Sequence, residues 1–75
     1  MGETNLLRNK DYLLGKRIQQ LRIKRGMTQE RLAEAAKVSM TFLSVIENGK
    51  DAPSLKLLYR IAQALDVKVA DLFPF

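Results

Sequence analysis

An all-α fold, five short helices packed into one compact bundle, is what this 75-residue sequence predicts. Three observations carry that expectation. Apolar residues recur three and four positions apart, the period of an amphipathic helix. Nothing alternates with period two, and Asn48-Gly49 follows a helical pattern instead of joining two β-branched runs. Asp, Thr or Ser stands just ahead of most apolar segments, and Gly, Asn or Pro just behind several of them, the punctuation of helix caps and stops.

The first helix is expected from about Asp11, its N-cap, to Arg25, with Leu14, Ile18 and Leu21 on one face. Gly26 ends it, because glycine tolerates the left-handed conformation that closes a helix. Thr28 caps a second helix, Gln29 to about Ala36, whose inner face is Leu32, Ala33 and Ala36. Ser39 caps a third, Met40 to Glu47, with Phe42, Leu43 and Ile46 inward, and Asn48-Gly49 stops it. Beyond the loop from Lys50 to Pro53, Ser54 caps a fourth helix, Leu55 to Leu65, with Leu55, Leu58, Ile61, Ala62 and Leu65 inward. A fifth, Val69 to Phe73, is halted by Pro74. Residues 1–10 show no clear pattern and are expected to form a frayed arm, leaving residues 11–75 as a single domain.

Composition narrows the function classes. Cys is absent, which excludes disulfides, thiolate metal sites and cysteine nucleophiles. His is absent too, and with it the commonest general base and zinc ligand. No Asp/Glu, Lys or Ser constellation suggests catalysis, so neither an enzyme nor a metal or other cofactor is expected. Apolar runs stop at three residues (Tyr12-Leu13-Leu14, Leu57-Leu58-Tyr59), far below the ~20 of a membrane helix. The start, Met1-Gly2-Glu3-Thr4-Asn5, has no hydrophobic segment, so a cytoplasmic location without membrane attachment is expected.

Charge supplies the first positive lead. The net charge is +5, and all of it falls in residues 1–31, where eight basic residues face three acidic ones. Residues 32–75 carry five of each. A basic half on a small domain suits a polyanion such as nucleic acid, and equally a solvated face that aids solubility.

The second and third helices are separated only by Lys37, Val38 and the cap Ser39, so the third must turn sharply across the second. That is the helix-turn-helix arrangement, about residues 28–48, in which the later helix is presented outward to a DNA major groove. Ala33 supplies the small residue needed at the crossing, and Val38, Leu43 and Ile46 supply the apolar anchors.

From Leu14 to Phe73 the chain resembles the Xre family, the Cro- and lambda-repressor-like helix-turn-helix domains. The matching pieces occur in family order: Leu14-Gly15, Ile18, Leu21-Arg22, Arg25-Gly26-Met27-Thr28-Gln29 and Leu32-Ala33 come first. Val38-Ser39, Leu43-Ser44, Ile46-Glu47-Asn48-Gly49-Lys50 and Pro53-Ser54 follow. Leu58, Ile61-Ala62, Ala64-Leu65, Val67 and Leu72-Phe73 complete the set. The size is similar to that of small stand-alone regulators such as restriction–modification controller proteins. The resemblance implies a lambda-repressor-like fold and a transcriptional regulator that binds a double-stranded DNA operator. A homodimer is expected, since one recognition helix covers only a half-site.

Site residues are implied one at a time. Gln29 matches a glutamine that bonds a DNA phosphate, and would otherwise be an ordinary polar residue of a first turn. Ser39 at the N-cap, and Asn48 and Lys50 past the third helix, match phosphate-contacting positions; capping and loop solvation are the plainer readings. Met40, Thr41, Ser44 and Val45 form the outward stripe that reads base edges. Without Arg, Lys or Gln there, two hydroxyls and two apolar groups suited to thymine methyls remain. Burial against another helix or a partner is the plainer reading of Met40 and Val45. Arg22 and Glu47 match a structural salt bridge between the first and third helices.

Leu72, Phe73, Pro74 and Phe75 are the candidate dimer surface, or else a lid on the fourth helix. Lys37 departs from the family pattern, which has Gly in that turn. A left-handed conformation there costs a non-glycine residue about 1 kcal/mol. No small-molecule effector pocket is indicated. A protein-interaction module (an antitoxin or adaptor) on the same fold is the alternative function.

Overall fold

The computed structural model describes the backbone of residues 3–75 and the side chains of residues 10–75. Its elements are α1 (Glu3–Lys24), α2 (Gln29–Ala36), α3 (Met40–Glu47), α4 (Leu55–Leu65) and a 3₁₀ turn (Val69–Leu72). Among the described residues the architecture is therefore four α-helices and a short turn, and the expected fifth helix is corrected. Asp71 N–H donates to the Lys68 carbonyl and Phe73 N–H to that of Ala70, both closing over three residues, not four. Pro74 offers no N–H to extend the pattern, so the segment never reaches an α-helical turn. Asp71 Oδ2 fastens the start of the turn by accepting from Lys68 N–H at 3.1 Å.

The expected start of the first helix at Asp11 is also corrected. Met1 and Gly2, the tip of the expected arm, lie outside the described residues, while the backbone is helical from Glu3 onward. The stretch from Glu3 to Lys10 contains no Gly or Pro and includes Leu6, Leu7, Arg8 and Lys10, all good helix formers. Adding turns to an existing helix is far cheaper than nucleating one, so Asp11 lies within α1 instead of capping it.

The remaining helix starts are capped by side chains. Thr28, Ser39 and Ser54 accept from the N–H groups of Arg31, Phe42 and Leu57 at 3.0–3.1 Å. Each such cap contributes about 1 kcal/mol. Two of the C-termini are closed by non-glycine residues in the left-handed region, Lys37 (φ 57°) after α2 and Asp66 (φ 56°) after α4. Arginines from α4 and from the turn after α1 serve these two ends. Arg60 Nε donates to the Ala36 carbonyl at 2.8 Å, and Arg25 Nη2 to the Asp66 carbonyl at 3.1 Å. Cations at helix C-termini also oppose the macrodipole.

The core is assembled from Leu14, Ile18 and Leu21 of α1, Leu32, Ala33 and Ala36 of α2, and Leu43 and Ile46 of α3. Leu57, Leu58, Ile61, Ala62 and Leu65 of α4 complete it with Leu72 of the 3₁₀ turn. Phe42 and Val38 are half-buried against this cluster. Leu55, expected inward, is 58% exposed, and Leu57 is buried instead. Leu55 is the first residue of α4 and lies about a quarter turn from the centre of the stripe through Leu58, Ile61 and Leu65.

Helix α1 packs against α3 and the 3₁₀ turn, and α2 packs against α3 and α4. The α1–α3 contact depends on Gly15, where any Cβ would run into the backbone carbonyls of Ile46 and Glu47. Gly49 serves the same interface: its φ is +72°, and a Cβ there would lie 2.6 Å from the Tyr12 Cα. Among the described residues no helix is long and apolar enough to cross a membrane.

Candidate nucleic-acid interface

The turn between α2 and α3 is made by Lys37, Val38 and Ser39. Left-handed Lys37 reverses the chain, and Val38 N–H then donates back to the Ala33 carbonyl at 2.9 Å. Ala33 is buried where the two helices meet, so no larger side chain holds them apart. Helix α3 thus lies with Leu43, Ile46 and Glu47 against the protomer and its opposite face outward.

That outward face carries Met40, 51% exposed, and exposed Thr41, with Ser44 and Val45 half-buried beside them. Together with Gln29, Asn48 and Lys50 they line one open concavity of about 360 Å³. Residues from the start of α2, from α3 and from the loop beyond it are therefore gathered around a single surface. Ser39 stands one residue before Met40, and its hydroxyl oxygen is occupied by the Phe42 N–H. Asn48 is the C-cap of α3, and its backbone N–H makes the last helical bond, to the Ser44 carbonyl at 3.0 Å. Lys50 is the one charged residue of the lining, among the described residues.

Behind this surface lies a buried polar network. Arg22 Nε donates to Glu47 Oε2 at 2.7 Å and Arg22 Nη2 to Oε1 at 3.0 Å. Arg22 Nη1 donates to the Met27 carbonyl at 2.8 Å, fastening the loop ahead of α2. Glu47 is only 3% exposed, and its Oε1 accepts a further bond from Gln29 Nε2 at 3.0 Å. Among the described residues no buried side-chain nitrogen or oxygen lacks a partner.

Two features escaped the sequence. The Gln29–Glu47 bond spans 18 positions and has no periodic signal. The basic residues in and just after α1 are also less free than their number suggests. Arg17 Nε donates to the Asp71 carbonyl at 2.8 Å, and Arg25 is held at the end of α4. At the C-terminus, Leu72 is fully buried in the protomer core, which removes it from any free surface. Phe73 is half-buried, whereas Pro74 and Phe75 are exposed. The Phe73 and Phe75 rings meet edge-on at 5.9 Å, and Lys10 Nζ lies 5.6 Å from the centre of the Phe75 ring.

The helix-turn-helix family model matches residues 18–72, from the last third of α1 to the 3₁₀ turn. The chain belongs to this Xre-type helix-turn-helix family. An uncharacterized HTH-type transcriptional regulator of Archaeoglobus fulgidus is 44% identical over 59 residues, covering 79% of this chain and 84% of the relative. The transcriptional regulator SinR of Bacillus subtilis is 40% identical over 58 residues, 76% of this chain and 52% of SinR. Among solved structures, the restriction–modification controller protein C.AhdI from Aeromonas hydrophila superposes with a TM-score of 0.81 at 31% identity. That match covers 83% of this chain and 94% of C.AhdI. The clp gene regulator ClgR from C. glutamicum gives 0.78 at 38% identity, covering 88% of this chain and 82% of ClgR. These relatives are named as regulators, not as enzymes.

Proposed function

We propose that this helix-turn-helix protein is a sequence-specific, double-stranded-DNA-binding transcriptional regulator of the repressor or controller type. Helix α3 enters the major groove of each operator half-site, and the protein acts as a homodimer. The observation that carries this reading is the orientation of α3: one side is buried in the core, while Met40, Thr41, Ser44 and Val45 remain outside it. The surrounding Gln29, Ser39, Asn48 and Lys50 suit phosphates on either side of a groove. Polar and cationic groups around a base-reading helix fix its position on the duplex, and the helix itself discriminates sequence.

The chemistry of the stripe sets the expected specificity. Thr41 and Ser44 offer hydroxyls to base edges, and Met40 and Val45 offer apolar contact to thymine methyls. Thymine-bearing positions are therefore favoured over guanine-dominated ones. The dimer surface is assigned to Phe73, Pro74 and Phe75, with Leu72 beneath them as core. Sedimentation of Phe75→Asp tests this assignment: dissociation with the fold intact supports it, and an unchanged dimer rejects it.

Selection of sites from random DNA with the purified chain tests the function itself. The expected product is a pair of related half-sites about one DNA turn (~34 Å) apart, carrying thymines beneath α3. Failure to enrich any site would sink the DNA-binding reading and favour a protein-interaction role on this fold.

A further inference from the structure

Glu47 accepts from two side chains at once. Its carboxylate is almost wholly buried, and Arg22 neutralises it through Nε and Nη2. Oε1 then accepts a third bond, from Gln29 Nε2 at 3.0 Å. An ionised carboxylate only accepts hydrogen bonds, so the Gln29 group facing it must be the NH₂ and not the carbonyl. This settles the amide orientation by chemistry, where the shape of an amide alone leaves it ambiguous. Gln29 also lines the α3 concavity, and one of its two amide hydrogens remains uncommitted among the described residues.

We propose that Glu47 is a positioning residue for DNA recognition, holding the Gln29 amide in one orientation so that its second N–H is fixed in place for a backbone phosphate. The inference rests on the DNA-binding reading above and deepens it. A phosphate oxygen is an acceptor, and a freely rotating glutamine presents its carbonyl to it as readily as its NH₂. Anchoring by Glu47 removes the wrong orientation before DNA arrives, and it spares the complex part of the entropy of immobilising that side chain. The arrangement also answers the charge problem. A bare carboxylate behind Gln29 would repel the phosphate, but the bidentate Arg22 leaves the pair neutral overall. Because Glu47 closes α3 and Gln29 opens α2, the same bond ties the phosphate contact to the base-reading helix.

The test is a double-substitution cycle on affinity, using the duplex that the wild-type chain enriches from random DNA. Both Glu47 oxygens accept from Arg22, so the anchor is removed by the paired apolar replacement Arg22→Met/Glu47→Leu, which frees Gln29 and strands no buried charge. Gln29→Ala and Arg22→Met/Glu47→Leu are each expected to weaken binding by roughly fivefold, the effect of one lost hydrogen bond, with the combined variant no weaker than Gln29→Ala alone. If the two losses multiply, Glu47 acts through the fold and the proposal fails while DNA binding stands. If the wild-type chain enriches no duplex, both fail together.

Should Arg22→Met/Glu47→Leu not fold, side-chain amide NMR of the wild-type chain decides, with the Gln29 signals assigned by Gln29→Ala. One Gln29 hydrogen is expected to be displaced from the free-amide position before DNA is added, and its companion to move on adding the duplex. Both hydrogens resting at the free-amide position in the isolated chain, or the second unmoved by DNA, would overturn the proposal.

Discussion

Arg22 of α1 and Glu47 of α3 form a bidentate ion pair, 2.7 Å at its shorter bond, between side chains that are 10% and 1% exposed. Such a pair carries a desolvation cost that its attraction only partly offsets, so its net stabilisation is small. Removing one partner is another matter, because the survivor is left charged and buried. Glu47→Ala is therefore expected to cost about 3–5 kcal/mol, most of the stability of a domain this small. The apolar double replacement Arg22→Met/Glu47→Leu is expected to cost markedly less. Urea denaturation of the three proteins checks the order, and a double variant weaker than Glu47→Ala would contradict it.

At Gly15, α1 lies directly against the backbone at the end of α3. Gly15→Ala places a methyl group against the carbonyls of Ile46 and Glu47, which are fixed backbone and cannot rotate aside. The helices must separate, at an expected cost of about 1–3 kcal/mol. Their separation also moves α3 relative to α2, so affinity for the selected duplex falls even under conditions where the variant is fully folded. Thermal melts and binding measured on the same preparation distinguish this from simple destabilisation. Unchanged affinity in the folded variant would show that α3 tolerates the shift.

Lys37 offers a change in the opposite direction. Its φ of 57° strains any residue with a Cβ, yet its backbone N–H lies 3.2 Å from the Glu34 carbonyl in a sound C-terminal closure. Lys37→Gly relieves the strain and loses some unfolded-state entropy advantage, for a net gain of about 0.5–1 kcal/mol. A melting temperature higher by several degrees is the expected result. A lower one would mean that the Lys37 side chain contributes contacts worth more than the strain.

Local features were the legible ones. The caps Thr28, Ser39 and Ser54, the α2–α3 turn and most core positions depend on residues within one helical turn of each other, which periodicity and capping chemistry report directly. Val69 to Phe73 misled because four or five residues cannot distinguish a 3₁₀ turn from an α-helix. Asp11 misled because a good capping residue also fits inside a helix that has already started. The stripe residues Met40, Thr41, Ser44 and Val45 followed from helical geometry alone. By contrast, the Gln29–Glu47 bond and the arginine contacts to Asp71, Asp66 and Ala36 join positions 18 to 54 residues apart. Only tertiary packing brings those atoms together, and no pattern along the chain encodes their distance.

Those arginine contacts divide the basic residues into two groups that salt can tell apart. Lys50 lines the concavity with its charge exposed, whereas Arg17 is held on the Asp71 carbonyl between α1 and the 3₁₀ turn. A cation that neutralises a phosphate releases condensed counterions, and its loss flattens the dependence of log affinity on log salt by about one unit. Lys50→Ala is expected to reduce the slope by about that amount per bound protomer and to leave the melting temperature nearly unchanged. Arg17→Ala is expected to do the reverse, lowering stability by about 1 kcal/mol through the lost hydrogen bond while the slope holds. Titrations of the selected duplex at several salt concentrations, paired with melts, check both. A slope that falls with Arg17→Ala and stays with Lys50→Ala would put the phosphate contacts on the α1 face instead of around α3.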